Sequence, residues 1–186
     1  MTFRRKEQIR KPVNDYATVE DFHAVFGRNM DELYQLSFLL TADHEKAEQC
    51  FVAGLEDSAK ENHVFKEWAR SWAKRVIIRN AIRELKPRPL TSSFSLASPS
   101  HVFPLASDQG RHFGVDQVLA LEDFERFVFV MSVLERYSEH DCSLLLSCSP
   151  HDVREARARA IANLVNLLAP PFPNRPDFET VQELVQ

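Results

Sequence analysis

The sequence predicts an all-α protein: two small helical domains joined by a Ser/Pro-rich linker, the second a helix-turn-helix. Three observations carry this. Only four glycines occur (Gly27, Gly54, Gly110 and Gly114). The ten prolines gather outside the periodic stretches. Apolar residues recur at steps of three and four over long spans, which is the stripe of amphipathic helices. At 186 residues, 44% hydrophobic and 27% charged, the chain has the balance of a globular protein and room for one ordinary domain or two small ones.

Residues 1–17 read as a polar arm. Met1 to Lys6 is basic, and Glu7 to Tyr16 stays polar, so no apolar signal core follows. The first domain is expected over residues 18–86. Thr18 with Asp21 three residues on forms a capping-box signal, and Phe22, Val25, Phe26, Met30, Leu33, Leu36 and Leu40 make the first stripe. Gly27 is the expected interruption. Asp43 caps a second helix carrying Ala47, Cys50, Phe51, Gly54 and Leu55 on one side. Asn62 caps a third, with Phe65, Trp68, Ala69, Trp72, Ala73 and Val76 on its apolar side. Two tryptophans at that spacing are expected in the core.

Over residues 87–116 the pattern collapses into alternating proline and serine. A stretch of ~30 residues without periodicity is too long for a loop inside a compact domain, so it is read as a linker. The second domain is expected over residues 117–169. Leu121, Phe124, Val128, Met131 and Leu134 make its first stripe, and Ser138 opens a short helix with Cys142, Leu145 and Leu146. Ser149-Pro150-His151-Asp152 is the sharpest start signal in the chain: a capping serine, proline at the first helical position and an acid at the third. Val153, Ala156, Ala160, Leu164 and Leu167 then mark one side. Two helices separated by Ser147-Cys148-Ser149 fit a helix-turn-helix. Residues 170–186 form a proline-rich tail with a short helix expected at Phe178 to Val185.

Several functions are argued against. Neither a GxGxxG nor a Walker loop can be written with four glycines, and no nucleophile elbow or HExxH is present, so no enzyme is expected. No run reaches the ~18 apolar residues of a membrane helix. Three cysteines (Cys50, Cys142, Cys148) are not a disulfide framework, and a cytoplasmic setting is expected. His140, Cys142, Cys148 and His151 lack the paired spacing of a zinc site, so no metal or other cofactor is expected.

Net charge is −4, but its distribution is uneven. Between Lys60 and Arg88 nine basic residues face three acids. Lys66, Arg70 and Lys74 form one helical row, and Arg75, Arg79 and Arg83 another that continues nearly the azimuth of Trp68 and Trp72. Rows of this kind bind phosphates, and aromatic rings beside them hold unpaired bases. The alternatives of a solvated basic face and a tryptophan core remain open at this level.

The order of these parts resembles the extracytoplasmic-function sigma factors of bacterial RNA polymerase. Leu33-Tyr34-Gln35-Leu36-Ser37-Phe38-Leu39-Leu40-Thr41 is similar to the family's LYRLAFLLTG segment, and Ala47-Glu48 to its AED. Phe65 to Leu85 is similar to the helix that ends in an RN…LR pattern. Phe127 to Val130, Tyr137-Ser138, Leu145 to Ser149, Val153 and Arg159-Ala160 track the closing domain. The resemblance covers roughly two thirds of the chain. It departs where the family usually has glycine and this chain has Ser147, and at Asp152 to Arg157, where a TVKSRL-like run is usual.

The resemblance implies a transcription initiation factor whose partners are core RNA polymerase, promoter DNA and, as a candidate regulator, an anti-sigma protein. Glu48, Phe51 and Val52 would dock the polymerase. Arg75, Arg79, Asn80 and Arg83 would hold the minus-ten element, with Lys60 to Val64 near a flipped base. Ser149, His151, Arg154 and Arg157 would read the minus-thirty-five element. The alternative is a sigma-derived regulatory protein that binds a protein partner or DNA without initiating transcription.

Overall fold

The computed structural model describes residues 15–60, 63–89 and 114–168, with side chains to residue 166. Eight α-helices make up most of these residues, and the one isolated β-bridge among them pairs Tyr16 with Phe65. The all-α expectation holds. The contacts group into two units that divide between Arg88 and Pro89.

In the first unit, α1 (Val19–Arg28) starts on the Thr18 capping box. Thr18 Oγ1 accepts from the Asp21 N–H at 3.3 Å, while Asp21 Oδ2 accepts from the Thr18 N–H at 2.9 Å. The break before α2 (Met30–Thr41) falls at Asn29, not at Gly27. Asn29 turns its side-chain Nδ2 back onto the Val25 carbonyl at 2.7 Å, the local competition by which asparagine ends helices. Gly27 is tolerated because it lies on the exposed side with open space around it. Asp43 caps α3 (His44–Lys60) as its position predicts, its Oδ1 accepting from the Lys46 N–H at 2.9 Å.

The third predicted helix begins late. Asn62 lies outside the described residues, and α4 (Ala69–Leu85) is preceded by a single 3-10 turn, Lys66–Trp68. The reason is a long-range pairing. Phe65 is extended, the Ala17 N–H donates to the Val64 carbonyl at 2.7 Å, and the Lys66 N–H donates to the Asp15 carbonyl at 2.9 Å. Backbone groups engaged sideways are not free to extend a helix. The core gathers Leu33, Leu36 and Leu40 of α2, Ala47 and Cys50 of α3, and Ala73, Val76, Ile77 and Ala81 of α4. Gly54 of α3 is buried, and a Cβ there would lie 2.7 Å from Ile77 Cγ1, so α3 and α4 approach closely at this point.

In the second unit, α5 (Val115–Leu119) begins inside the stretch expected to be linker. Then α6 (Asp123–Phe129) runs into a π turn, Val130–Leu134, in which the Glu135 N–H donates to the Val130 carbonyl at 2.9 Å. The wider turn carries Leu134 out of the expected stripe: it is exposed, while Val128 and Met131 are buried. Next, α7 (Glu139–Leu146) is capped by Ser138, and α8 (Pro150–Leu168) by Ser149 with Asp152 in reciprocal hydrogen bonds. The turn between them places Ser147 in the left-handed region, φ 52°.

One buried polar group ties this unit together. Glu125 of α6 is only 3% exposed, and it accepts from Arg159 Nε at 2.8 Å and Asn163 Nδ2 at 3.1 Å, both on α8. Its neighbour Arg126, also buried, donates to the Leu121 carbonyl at 2.8 Å and pairs with Asp123.

Candidate nucleic-acid interface

Helix α4 is amphipathic in an unusual way: Ala69, Ala73, Val76, Ile77, Ile78, Asn80 and Ala81 are buried, and cations occupy much of the remaining surface. Those cations divide into two kinds. Lys66 pairs with Asp21 at 3.1 Å, Lys74 with Glu32 at 2.7 Å, and Arg70 with the same Glu32. Each cation of the first predicted row thus meets a carboxylate of α1 or α2, Arg70 and Lys74 sharing one. Hydrogen bonds from Lys74 and then Arg70 hold the Glu32 carboxyl below its ordinary range. The Thr18 backbone and then Lys66 do the same for Asp21.

The second row is split. Arg83 donates to Asp57 Oδ2 at 3.1 Å and to Asn80 Oδ1 at 2.8 Å. Asn80 is buried at 8% exposure and directs Nδ2 towards the same Asp57 at 3.4 Å. Burial pushes Asp57 up, yet Arg83 and Asn80 outweigh it and its carboxyl is lowered. Asn80 and Arg83 therefore bind α4 to α3. Arg75 and Arg79 are half-buried, and among the described residues neither has a carboxylate partner. At about 100° per residue they share one side of α4 with Ile82; Trp68 precedes the helix in the 3-10 turn, and exposed Lys86 follows it as a left-handed C-cap.

Trp68 is 56% exposed, which corrects the expectation that both tryptophans lie in the core. The 3-10 turn sets it outside the α4 register, so helical spacing misplaced it. Trp72 instead packs against a small cluster of Ala17, Phe22, Val64 and Ala69. Phe65 meets Trp68 edge-on at 5.2 Å, Tyr16 stacks on Phe65 at 4.8 Å, and His63 meets Tyr16 at 6.2 Å. Tyr16 had no periodic signal to draw attention to it, because a single bridge between distant segments leaves no pattern in either; His63 lies in the Lys60 to Val64 stretch that the resemblance places near a flipped base.

The other sequence-predicted residues are scattered. On α3, Glu48 and Val52 are exposed, whereas Phe51 turns inward against Phe26 at 5.3 Å and Tyr34 at 6.4 Å. On α8, Val153, Ala156 and Ala160 are buried, and His151, Arg154, Glu155 and Ala158 are exposed, as the periodicity predicts. The Ser149 hydroxyl serves the helix cap. Arg154 and Arg157 both face Glu139 of α7, at 3.6 and 3.7 Å, and His151 faces Glu155 at 3.6 Å. The arginines of α8 thus each lie near an acid, whereas Arg75 and Arg79 have none among the described residues.

Among the described residues no group of three or more His, Cys, Asp or Glu side chains gathers to hold a metal ion, and no helix is long and apolar enough to cross a membrane. The three cysteines are free thiols. Burial raises Cys50 and Cys142 to about 11, so neither is poised as a nucleophile. Compared with protein-family models and with curated proteins, the sequence matches none.

Proposed function

We propose that the chain is a sigma-like transcription initiation factor that binds core RNA polymerase, recognises promoter DNA and assists its melting. The observation that supports this best is the exposed ring of Trp68, just before α4, together with Arg75 and Arg79 on that helix, which have no carboxylate partner among the described residues. Melting unstacks bases at a cost of a few kcal/mol each, and a surface that stacks a base and neutralises its phosphates offsets that cost. Among the described residues of α4, Arg75 and Arg79 are the guanidiniums available to phosphate without first giving up a carboxylate. Arg83, held by Asp57, takes a lesser part.

In this reading the two units are separate domains. The first, with the exposed Glu48 and Val52 of α3, docks the polymerase. In the second, α7 and α8 act as a helix-turn-helix that presents His151 and Arg154 to the major groove of the minus-thirty-five element. The partners are core polymerase, promoter DNA and an anti-sigma protein, and the site of action is the cytoplasm. No catalytic group or cofactor is assigned.

A second reading, a sigma-derived regulator that binds a partner without opening DNA, is favoured by one feature. The α8 arginines are offset by Glu139, which weakens attraction to phosphate. Reconstitution with core polymerase and a promoter library separates the two. Permanganate-reactive, unpaired thymines in the complex are expected on the first reading. Core binding without any opening would transfer the protein to the second.

A further inference from the structure

We infer that Arg154 and Arg157 of α8 form a site for one phosphate of the DNA backbone, which Glu139 of α7 occupies until DNA displaces it. The inference rests on the DNA reading above and adds to it a carboxylate that holds the site shut.

Geometry comes first. Arg154 Nη1 lies 3.6 Å from Glu139 Oε2 and Arg157 Nη2 lies 3.7 Å from Glu139 Oε1, so two guanidiniums converge on a single carboxylate. Neither contact is short enough for a hydrogen bond. Glu139 Oε1 is buried and accepts no hydrogen bond, and neither arginine donates one among the described residues. Ion pairs between other elements close further: Lys74–Glu32 at 2.7 Å, Arg159–Glu125 at 2.8 Å, and Lys66–Asp21 and Arg83–Asp57 at 3.1 Å. Those pairs fasten the fold. The two arginines on Glu139 are held by charge alone.

The neighbouring acids have other tasks. Asp141 and Asp152 serve the helix caps through Ser138 and Ser149, and Glu155 lies within α8 at 3.6 Å from both His151 and Arg159. Glu139 is the carboxylate of α7 that crosses to α8, on the side where His151, Arg154 and Ala158 are exposed.

The chemistry follows. A phosphate offers the two guanidinium forks short, charge-assisted hydrogen bonds that Glu139 does not make. Exchange gives up two long Coulombic contacts, supplies those hydrogen bonds and lets water reach the unsatisfied Oε1. The side chains of Arg154 and Arg157 are 55% and 41% exposed, so a phosphate reaches them from solvent.

The test uses the full chain and a fluorescein-labelled DNA duplex, with binding followed by anisotropy over a KCl series. Four proteins are compared: wild type, Glu139→Gln, R154Q/R157Q, and all three changes together, each checked for folding by far-ultraviolet ellipticity. Glu139→Gln is expected to bind about two- to fivefold more tightly at low salt and to steepen the slope of log affinity against log salt by about 1. R154Q/R157Q is expected to bind more weakly, and in that background the gain from Glu139→Gln vanishes, because it acts through the arginines. A Glu139→Gln protein that binds no more tightly than wild type overturns the inference and leaves Glu139 as a brace between α7 and α8. A gain of equal size with and without the arginines also overturns it, as a plain effect of net charge. If none of the four binds the duplex, the phosphate site fails. Permanganate-reactive thymines with core polymerase would then still uphold the DNA reading of the first unit, and their absence would sink both.

Discussion

The buried Glu125 makes an asymmetric prediction about stability. Its side chain is 4% exposed, whereas that of Arg159, its ion-pair partner at 2.8 Å, is 39% exposed. Arg159→Met would leave a carboxylate in the core with only the Asn163 N–H at 3.1 Å, and stranding one partner of a buried pair costs about 3–5 kcal/mol. Glu125→Gln is milder. The amide oxygen still accepts from Arg159, and the guanidinium is solvated through its exposed side, so the loss is about 1–2 kcal/mol. Replacing both, as Glu125→Leu with Arg159→Met, removes the desolvation cost together with the attraction and should return to within about 1 kcal/mol of wild type. Urea unfolding followed by far-ultraviolet ellipticity measures all three. Trp68 and Trp72 both lie in the first unit, so a shift seen in ellipticity but not in tryptophan fluorescence assigns the loss to the second. If Arg159→Met proves no worse than Glu125→Gln, the carboxylate is not the group that needs its partner, and the argument from burial is wrong.

Further predictions concern turns, acid and thiols. Ser147→Gly should stabilise the chain by about 0.5–1 kcal/mol in the same urea assay, because φ 52° strains any residue with a Cβ and glycine's entropy offsets only part of the relief. Asp21 and Glu32 have lowered folded-state values, so the stability they contribute is present above the unfolded carboxylate range, near pH 4, and is lost as pH falls through the folded values. Glu32→Gln should therefore flatten the acid limb of a stability–pH profile, and an unchanged limb would remove Glu32 from that account. Iodoacetamide at pH 8 should label half-buried Cys148 before Cys50 and Cys142, which mass spectrometry of the native protein can follow. Equal labelling would mean that the two buried thiols open as readily as the third.

What was legible in the sequence was local. Thr18, Asp43, Ser138 and Ser149 each satisfy helix N–H groups within three residues, so composition and spacing suffice to find them. Inward faces were legible where one helix runs unbroken, as with Val153, Ala156 and Ala160. The failures share a different cause. Trp68 was misassigned because the Tyr16–Phe65 bridge, between residues far apart in the chain, stops the helix from reaching back to it. Leu134 was misassigned because a π turn keeps the appearance of a helical stripe while changing its period. The candidate interface was half legible. The cations of α4 could be counted, but which of them meet Glu32 and Asp57, and which have no carboxylate among the described residues, depends on neighbours that only the folded chain supplies.

The π turn at Val130–Leu134 has a last consequence. A wide turn of this sort is equivalent to one surplus residue wound into an α-helix. Excising Ser132 would close the coil to its ordinary pitch and swing everything after it by a quarter-revolution or so, bringing Leu134 towards the interior. The helices that follow would leave in a new direction. A single codon thus sets the heading of the whole carboxy-terminal pair, and its deletion is the smallest change that would re-aim them.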